Sequence, residues 1–245
     1  MNDALGRGAS IRRSGNRERL SADRDARARL HPGITNPNWL ILRARRKIFA
    51  RWANSVAGSQ LRILDVGGRL QPYRPLFEGR IREYCSVDLA AGQRVDVLGK
   101  AEELPLASRS FDVVICTQML EYVPCPQRAI DEIYRVLSPG GYLFLSVPAV
   151  FIRDSDPEYW RFLPSSLRLL LKNFADVEIA AEGSSITGLL RTINVCAIAF
   201  SPRFVRPLVK YTFTPGFNVL GAVFERLART NNDQFTANFS VLARK

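Results

Sequence analysis

The stretch Leu61-Arg62-Ile63-Leu64-Asp65-Val66-Gly67-Gly68 decides the fold, because it has the pattern of a buried strand that ends in an acid and two glycines. The strand is mostly apolar on both faces, which is typical of a parallel strand covered by helices on both sides. Glycines at a strand end let the backbone approach a bound molecule where a Cβ would clash. A dinucleotide site would continue as G-x-G-x-x-G, whereas Arg69 and Gln71 follow here. The stretch therefore predicts a site for a cationic cofactor that lacks phosphates.

Short apolar segments alternate with helix-length segments along the rest of the chain. Helices are predicted over about 127–137 and 164–173, and Ser138-Pro139-Gly140-Gly141 ends the first of them. This alternation predicts an α/β domain with a mostly parallel sheet and helices on both faces. The six further predicted strands span residues 84–89, 95–98, 111–116, 142–147, 177–181 and 235–243.

The N-terminal region carries most of the positive charge. The net charge is +12, and residues 1–56 hold 13 Lys and Arg against 4 Asp and Glu. Residues 1–30 lack apolar periodicity and are predicted to be disordered, and residues 31–37, with two prolines, form a connector. We therefore assign residues 1–37 to a basic extension and residues 38–245 to one folded domain. Such an extension is either a solvated tail with no specific partner, or it binds an anionic membrane surface or, less well, a nucleic acid.

The folded domain is predicted to begin with an amphipathic helix. Asn38 is its expected N-cap, and the helix runs to about residue 54. Its basic face is expected to be solvated and consists of Arg43, Arg45, Arg46, Lys47 and Arg51. Its apolar stripe, with spacings near three and four, consists of Trp39, Leu42, Phe49, Trp52 and Val56.

The segment before the last predicted strand combines many apolar residues with an absence of acids. Residues 183–224 contain no Asp or Glu, and Pro202, Pro207 and Pro215 are predicted to cut the segment into short helices. We expect residues 183–230 to form a helical insertion. It either packs over the edge of the sheet or forms a lid that meets an apolar or anionic acceptor. The cations of the segment are Arg191, Arg203, Arg206 and Lys210.

The composition argues against several classes of protein. His31 is the one histidine, so a His-based zinc site or a Ser-His-Asp triad is nearly excluded, and no metal is expected. The four cysteines form no Cys-x-x-Cys pair and are typical of buried thiols in a reducing compartment. No membrane span or signal peptide is expected, because long uncharged apolar runs are absent from the sequence. A cytoplasmic protein is the expectation.

A second acid, Asp88, ends the second predicted strand, 23 residues after Asp65. A carboxylate in this place can accept hydrogen bonds from both hydroxyls of a ribose. The two acids therefore predict a nucleoside-containing cofactor.

In the order and spacing of its motifs the chain resembles class I S-adenosylmethionine-dependent methyltransferases. The resemblance runs from about Leu61 to Val147 and implies a Rossmann-like, seven-stranded sheet whose last strand is antiparallel. It also implies S-adenosylmethionine as the cofactor, bound across the C-terminal strand ends. The motifs are Asp65-Val66-Gly67-Gly68, Val87-Asp88, Gly99-Lys100-Ala101-Glu102-Glu103-Leu104-Pro105, Ser110-Phe111-Asp112-Val113-Val114 and Arg135-Val136-Leu137-Ser138-Pro139-Gly140-Gly141.

The resemblance implies a set of cofactor-binding residues and a narrower group of relatives. Segments such as Pro72-Tyr73-Arg74-Pro75-Leu76-Phe77 look like those of bacterial methyltransferases linked to small molecules and cell-surface glycans. The chain departs from the family at Arg69 and Gln71, at Lys100 in place of an adenine-binding aspartate, and at Tyr122 in place of a histidine. The implied cofactor-binding residues are Asp65, Gly67, Gly68, Asp88, Leu89, Ala101, Glu102 and Gln118.

The candidates for catalysis and acceptor binding lie in the segments that follow the fourth and fifth predicted strands. Methyl transfer requires alignment above all, and a hydroxyl acceptor also benefits from a general base. Asp154, Asp156 and Glu158 are candidate bases in the polar loop after the fifth strand, and Tyr122 is a further catalytic candidate. In the same loop, Tyr159, Trp160 and Arg161 combine aromatic surface with a cation, which suits binding of the acceptor or, equally, packing of the loop itself.

Three functions are compatible with these patterns. The first is methyl transfer to a small-molecule, glycan or lipid-linked acceptor, with oxygen as the favoured atom and with possible peripheral contact to an anionic membrane. The second is a catalytically silent, methyltransferase-like binding or scaffold protein. The third, RNA methylation, is supported only by the basic extension, because the sequence shows no RNA-binding module.

Overall fold

A single mixed sheet organises the chain, whose computed structural model describes residues 20–153, 155–228 and 232–245. The strands are β1 (Leu61–Val66), β2 (Ile81–Asp88), β3 (Val97–Leu98), β4 (Phe111–Thr117), β5 (Leu137–Pro148), β6 (Asp176–Ala181) and β7 (Asn238–Arg244). Their order is β3-β2-β1-β4-β5-β7-β6. Strand β7 is antiparallel to both of its neighbours, and the other pairs are parallel. The predicted seven-stranded, mostly parallel sheet with an antiparallel last strand is confirmed.

Helices cover both faces of this sheet. The longer ones are α1 (residues 20–30), α2 (Trp39–Ser55), α3 (Pro126–Val136), α4 (Pro164–Leu170), α5 (Ser185–Phe200) and α7 (Thr214–Ala228). A three-residue helix, α6 (Arg206–Leu208), and a π-helical turn, Val209–Phe213, lead directly into α7. Two 3₁₀ turns, Arg74–Phe77 and Leu120–Tyr122, follow β1 and β4.

The central strands are apolar on both faces because each face packs against helices. In β1, Leu64 belongs to the core that α3 covers, with Ile133. Its neighbour Ile63 points to the opposite face and belongs to the core that α2 covers, with Phe49 and Trp52. Alternation along a strand places successive side chains on opposite faces, so a doubly covered strand needs apolar residues at nearly every position.

An aromatic cluster fixes α2 and the turn after β1 against the sheet. Phe144 of β5 lies at its centre, with ring centroids 5.5 Å from Phe49 and 5.4 Å from Phe77, both in edge-to-face geometry. The ring of Tyr73 lies 4.9 Å from that of Phe49. Such pairs stabilise a core beyond the area that they bury, by about 0.5–1.5 kcal/mol each.

The N-terminal region is more ordered than the composition predicts. Residues 20–30 form α1, in which Ala26 and Leu30 are buried, so the prediction of disorder is wrong for these eleven residues. Residues 1–19 lie outside the described residues. In α2 the helix begins after Asn38 as predicted, but Arg45 is 3% exposed rather than solvated.

The segment after β6 forms two long helices instead of several short ones. Pro202 follows the end of α5, Pro207 lies in the first turn of α6, and both positions tolerate a missing N–H. Pro215 lies at the start of α7, directly after the π-helical turn, where the ladder of hydrogen bonds already changes spacing. In the part of the chain that the structure describes, no helix has the length and apolarity to cross a membrane.

Candidate functional site

Asp65 is a buried carboxyl group close to the C-terminal end of β1. It is 3% exposed, and the hydroxyl of Tyr84 on the neighbouring strand donates to its Oδ2 at 2.7 Å. Burial raises the pKa of Asp65 to about 7, the hydrogen bond from Tyr84 opposes this rise, and the nearby Asp88 carboxylate adds to it. A cationic group placed beside Asp65 would therefore return it to the carboxylate form.

The two glycines after β1 are required by the local structure of the protein itself, whether or not a ligand is bound. Gly67 has a φ of +76°, which favours glycine, and a Cβ there would lie 2.8 Å from Cγ of Met119. A Cβ on Gly68 would lie 2.6 Å from the carbonyl oxygen and 2.7 Å from Cγ of Asp65. The absence of a side chain at Gly68 thus leaves the space that the Asp65 carboxyl group occupies, a role beyond the predicted close approach of a cofactor.

Gln71 replaces the last glycine of the family's loop and still adopts a left-handed conformation. Its φ is 51° and it is buried. The side-chain amide donates from Nε2 to the carbonyl oxygen of Arg94 at 2.8 Å, and Arg74 donates to its Oε1 at 3.3 Å. Side-chain hydrogen bonds therefore hold a turn that glycine would form without strain.

Asp88 is the last residue of β2, at the edge where β1 and β4 also end. Its Oδ1 accepts from the backbone N–H of Ala90 at 3.0 Å, and its carbonyl accepts from Gly99 at 3.1 Å. Leu89, the next residue, is 73% exposed and offers apolar surface beside the carboxylate. The position of Asp88 is compatible with the predicted contact to ribose hydroxyls.

Asp88→Ala is expected to weaken the binding of S-adenosylmethionine, the cofactor that the resemblance implies, at least tenfold, about 1.4 kcal/mol, because the predicted acceptor for the ribose hydroxyls is lost. Isothermal titration calorimetry on the folded variant measures this. Glu83→Ala is the matched control, because Glu83 is an exposed acid on the same strand but far from its C-terminal end. Equal affinity of the Asp88→Ala variant and the wild type would remove Asp88 from the site.

Gln118 and the segment after β3 lie at the same edge of the sheet. Gln118 follows β4 with a φ of 50°, and its Nε2 donates to Oγ of Ser146 at 3.2 Å. Ala101 is buried, Glu102 is half-buried, and the backbone of the exposed Lys100 forms an isolated antiparallel β-bridge with that of Glu103. The ends of four adjacent parallel strands, β3, β2, β1 and β4, thus bring the predicted cofactor residues to the C-terminal edge, where ligands bind in open α/β sheets.

Glu121 is a functional candidate that the sequence analysis missed. It lies in the 3₁₀ turn after β4, is 2% exposed, and its Oε2 has no hydrogen-bond partner among the described residues. Burial raises the pKa of Glu121 to about 7, and the Glu158 carboxylate adds to the rise, whereas Arg45 and Arg161 oppose it. A buried carboxyl group with this pKa can accept a proton near neutral pH.

The loop after β5 closes over this turn. The backbone N–H groups of Tyr159 and Trp160 donate to the carbonyl of Glu121 at 2.8 and 3.3 Å. The indole of Trp160 donates to the carbonyl of Val123 at 2.9 Å. Tyr159 and Trp160 keep about half of their surface exposed. The predicted acceptor-binding aromatics therefore lie beside the 3₁₀ turn that carries Glu121 and Tyr122.

The candidate bases in that loop have different surroundings. The Glu158 side chain is 3% exposed and pairs with Arg161 at 2.7 Å. Asp156 is exposed and lies 3.8 Å from Arg153. Tyr122 is half-buried in the 3₁₀ turn. Asp154 lies outside the described residues.

A buried polar network lies beneath the site. Glu182, which follows β6, is fully buried and pairs with Nε of Arg45 at 2.8 Å. Its carboxylate also accepts from Ser146 at 2.6 Å, from Ser240 at 2.7 Å and from Asn238 at 3.1 Å. Burial alone would raise the pKa of Glu182, but Arg45, Ser146 and Ser240 hold it below its usual value. Ser146 also contacts Gln118, so the network connects α2 to the site edge.

Among the residues that the structure describes, no group of three or more His, Cys, Asp or Glu is placed to hold a metal ion. The candidate site therefore consists of carboxylates, amides, backbone groups and aromatic rings.

Comparison with known proteins gives this arrangement a family context. A family model described as a methyltransferase domain matches residues 64–145. Over 46 residues the chain is 50% identical to a ubiquinone biosynthesis O-methyltransferase of Pseudomonas putida, which covers 19% of this chain. The chain spans only 18% of the length of that relative.

Solved structures with the same fold extend further along the chain. A S-adenosylmethionine-dependent methyltransferase from Archaeoglobus fulgidus matches 86% of this chain and 95% of its own, with a TM-score of 0.53 and 17% identity. The [4+2]-cyclase SpnF matches 82% of each chain, with a TM-score of 0.52 and 22% identity. These likenesses show a fold that is shared by methyltransferases and by at least one protein named for another reaction.

Proposed function

From its class I S-adenosylmethionine-dependent methyltransferase domain, we propose that the chain is an enzyme that methylates a hydroxyl group of a small-molecule, glycan or lipid-linked acceptor. The observation that carries the proposal is the arrangement of Asp65, Asp88 and Gln118 at one sheet edge, beside the buried carboxyl group of Glu121.

The cofactor of this domain is S-adenosylmethionine, and the described residues fit its chemistry. Asp65 is a buried acid that a cationic ammonium group would ionise, and Asp88 offers an acceptor for ribose hydroxyls. We assign adenine contacts to the backbone of Ala101 and to Glu102, and a further polar contact to Gln118. When bound, the cofactor supplies an electrophilic methyl group. The protein has to align the acceptor and remove its proton.

Glu121 is the proposed proton acceptor. As the acceptor oxygen gains the methyl group, it loses its proton to Oε2 of the Glu121 carboxylate, which has no hydrogen-bond partner among the described residues. Tyr159 and Trp160 supply partly exposed aromatic surface for the acceptor beside this group. The ion pair between Glu158 and Arg161 supports a positioning role for both. Asp154 and Tyr122 stay second candidates for proton transfer.

The acceptor atom is proposed from two independent supports. The first support is that the relatives matched over part of the domain are named for O-methylation. The second is that a hydroxyl acceptor needs a base to remove its proton more than a thiol acceptor does, and Glu121 is a carboxylate that can serve as this base. The alternative is a silent binding protein, which Lys100 favours because it stands where the family has an adenine-binding acid. A cyclase with this fold shows that the fold is compatible with a function other than methyl transfer.

Binding of the cofactor is expected to release a proton near pH 6.5, because Asp65 is largely protonated there without ligand and ionised beside the ligand's ammonium group. Affinity should therefore rise between pH 6 and pH 8. Calorimetry in buffers of different ionisation enthalpy measures the released proton. An affinity that is independent of pH would contradict the placement of the ammonium group at Asp65.

Transfer of labelled methyl groups to fractionated bacterial extracts tests the activity itself. We expect incorporation into the lipid or glycan fraction, in a form stable to mild base, as an ether is and an ester is not. Incorporation into RNA would support the RNA-methylating alternative. Tight cofactor binding without transfer to any fraction would support the silent binding protein.

A further inference from the structure

The connection between α5 and α7 carries the most exposed large apolar side chains of the described residues. We call residues 200–213 the hairpin tip, since α5 and α7 pack against each other and this segment joins them. Phe200 and Phe204 are 83% and 85% exposed, which is far above the exposure of a packed aromatic residue. The other exposed apolar residues of the tip are Leu208, Tyr211 and Phe213.

Basic residues alternate with these apolar side chains. Arg203, Arg206 and Lys210 are exposed, and no acid occurs between residues 183 and 224. Arg206 also donates to the carbonyls at the end of α5, with Nε 3.1 Å from the oxygen of Ser201. The tip thus presents aromatic rings and positive charge without a neighbouring negative charge from its own segment.

Close to the tip, the two helices that flank it are fixed to the rest of the domain. Asn218 of α7 donates to the carbonyls of Ile34 and Asn36 at 2.7 and 3.0 Å and accepts from Asn194 of α5 at 3.2 Å. A Cβ on Gly221 would lie 2.6 Å from Leu40, so α7 also packs closely on α2. Val209 within the tip and Thr214 directly after it are buried, so the tip is anchored to the domain while its aromatic side chains stay in solvent.

We propose that the hairpin tip docks on an anionic lipid bilayer. Aromatic and aliphatic side chains bury themselves at the boundary between headgroups and acyl chains, and basic side chains beside them attract anionic headgroups. A second copy of the chain is a poorer occupant, because it would bring an equally basic tip against this one. The docking would hold the domain beside lipid-linked molecules, but it does not depend on the proposed methyl transfer.

Co-sedimentation of the full chain with vesicles tests the docking. We expect binding to vesicles of phosphatidylcholine with about 30% phosphatidylglycerol at low salt, and much weaker binding to phosphatidylcholine alone or at 0.5 M salt. The Phe200→Ser/Phe204→Ser variant should bind at least tenfold more weakly, and so should Arg203→Glu/Lys210→Glu. Leu163→Ser/Leu169→Ser is the matched control, because it removes two exposed apolar residues of the α4 region and should bind like the wild type.

A fluorescent reporter makes the test independent of sedimentation. Phe204→Trp should show a blue shift when anionic vesicles are added, because the ring leaves water. The melting temperature and calorimetric cofactor affinity of each variant establish that it is folded. Wild-type binding by both tip variants would overturn the proposal. Concentration-dependent dimerisation that the Phe200→Ser/Phe204→Ser change abolishes, without vesicle binding, would also overturn it in favour of a second copy.

Discussion

Glu121→Gln is expected to lower kcat by about 10²–10⁴-fold, since that is the usual contribution of a positioned general base. Glutamine has nearly the same shape and is neutral, so it keeps the packing around a buried position but cannot accept the proton. The affinity for S-adenosylmethionine should change by less than about threefold, because Glu121 is not assigned to the cofactor. Single-turnover methyl transfer to the active extract fraction measures the loss.

The proposed role of Glu121 also predicts the direction in which kcat changes with pH. The raised pKa of Glu121, about 7, means that the group is protonated and inactive as a base in acid. In the wild type kcat should therefore rise with pH and level off above about pH 8, whereas the small residual rate of Glu121→Gln should lack this rise. The variant Glu158→Gln distinguishes the role of the Glu158 carboxylate from that of the Glu121 carboxylate. If Glu158→Gln loses more rate than Glu121→Gln, the proton acceptor lies in the loop after β5.

Glu182→Ala is expected to lower the free energy of unfolding by about 3–5 kcal/mol, because it leaves the Arg45 guanidinium buried without its counter-charge. Three further donors also lose their acceptor. Urea unfolding monitored by circular dichroism measures the difference. The pKa of Glu182 is held low in the folded state, so its stabilisation is present above the usual pKa of a glutamate and disappears as pH falls through the lowered value.

The chain offers a matched control for this pair. Arg51 of α2 forms an ion pair with Glu178 of β6, the strand that ends just before Glu182, but both side chains are more than half exposed. Glu178→Ala should therefore cost less than about 1 kcal/mol. The double variant Arg45→Met/Glu182→Leu should recover much of the loss of Glu182→Ala, because neither charge remains buried. Similar costs for Glu178→Ala and Glu182→Ala would show that burial of the pair adds no stability.

The sheet was predictable because its strands carry strong local patterns. Strand β1 matches its predicted bounds, and α3 begins and ends within one residue of them. Strand β2 begins at Ile81, three residues before the predicted start, since Arg82 and Glu83 are exposed and hide the apolar alternation. Local patterns thus located elements well where both faces are buried and less well where a strand end is solvated.

The buried charges were not predictable to the same degree. The partner of Arg45 lies 137 residues away, which no local pattern records. A signal did exist, because Arg45 is four residues after Ile41 and four before Phe49 and so lies on the buried stripe of α2. The burial of Glu121 depends on the loop after β5, whose N–H groups bind its carbonyl, and the residues around Glu121 alone contain no sign of this.

The ion pair between Arg45 and Glu182 also determines which piece of the chain can fold autonomously. The similarity to methyltransferase domains covers residues 64–145, so a fragment designed from it would begin near β1. Such a fragment would lose Arg45 and would lose Phe49 from the aromatic cluster, and even one that extended to the C-terminus would bury Glu182 without its cation. Any expression fragment that is meant to fold should therefore contain α2. The boundary of the region similar to methyltransferase domains is therefore not the boundary of the folding unit.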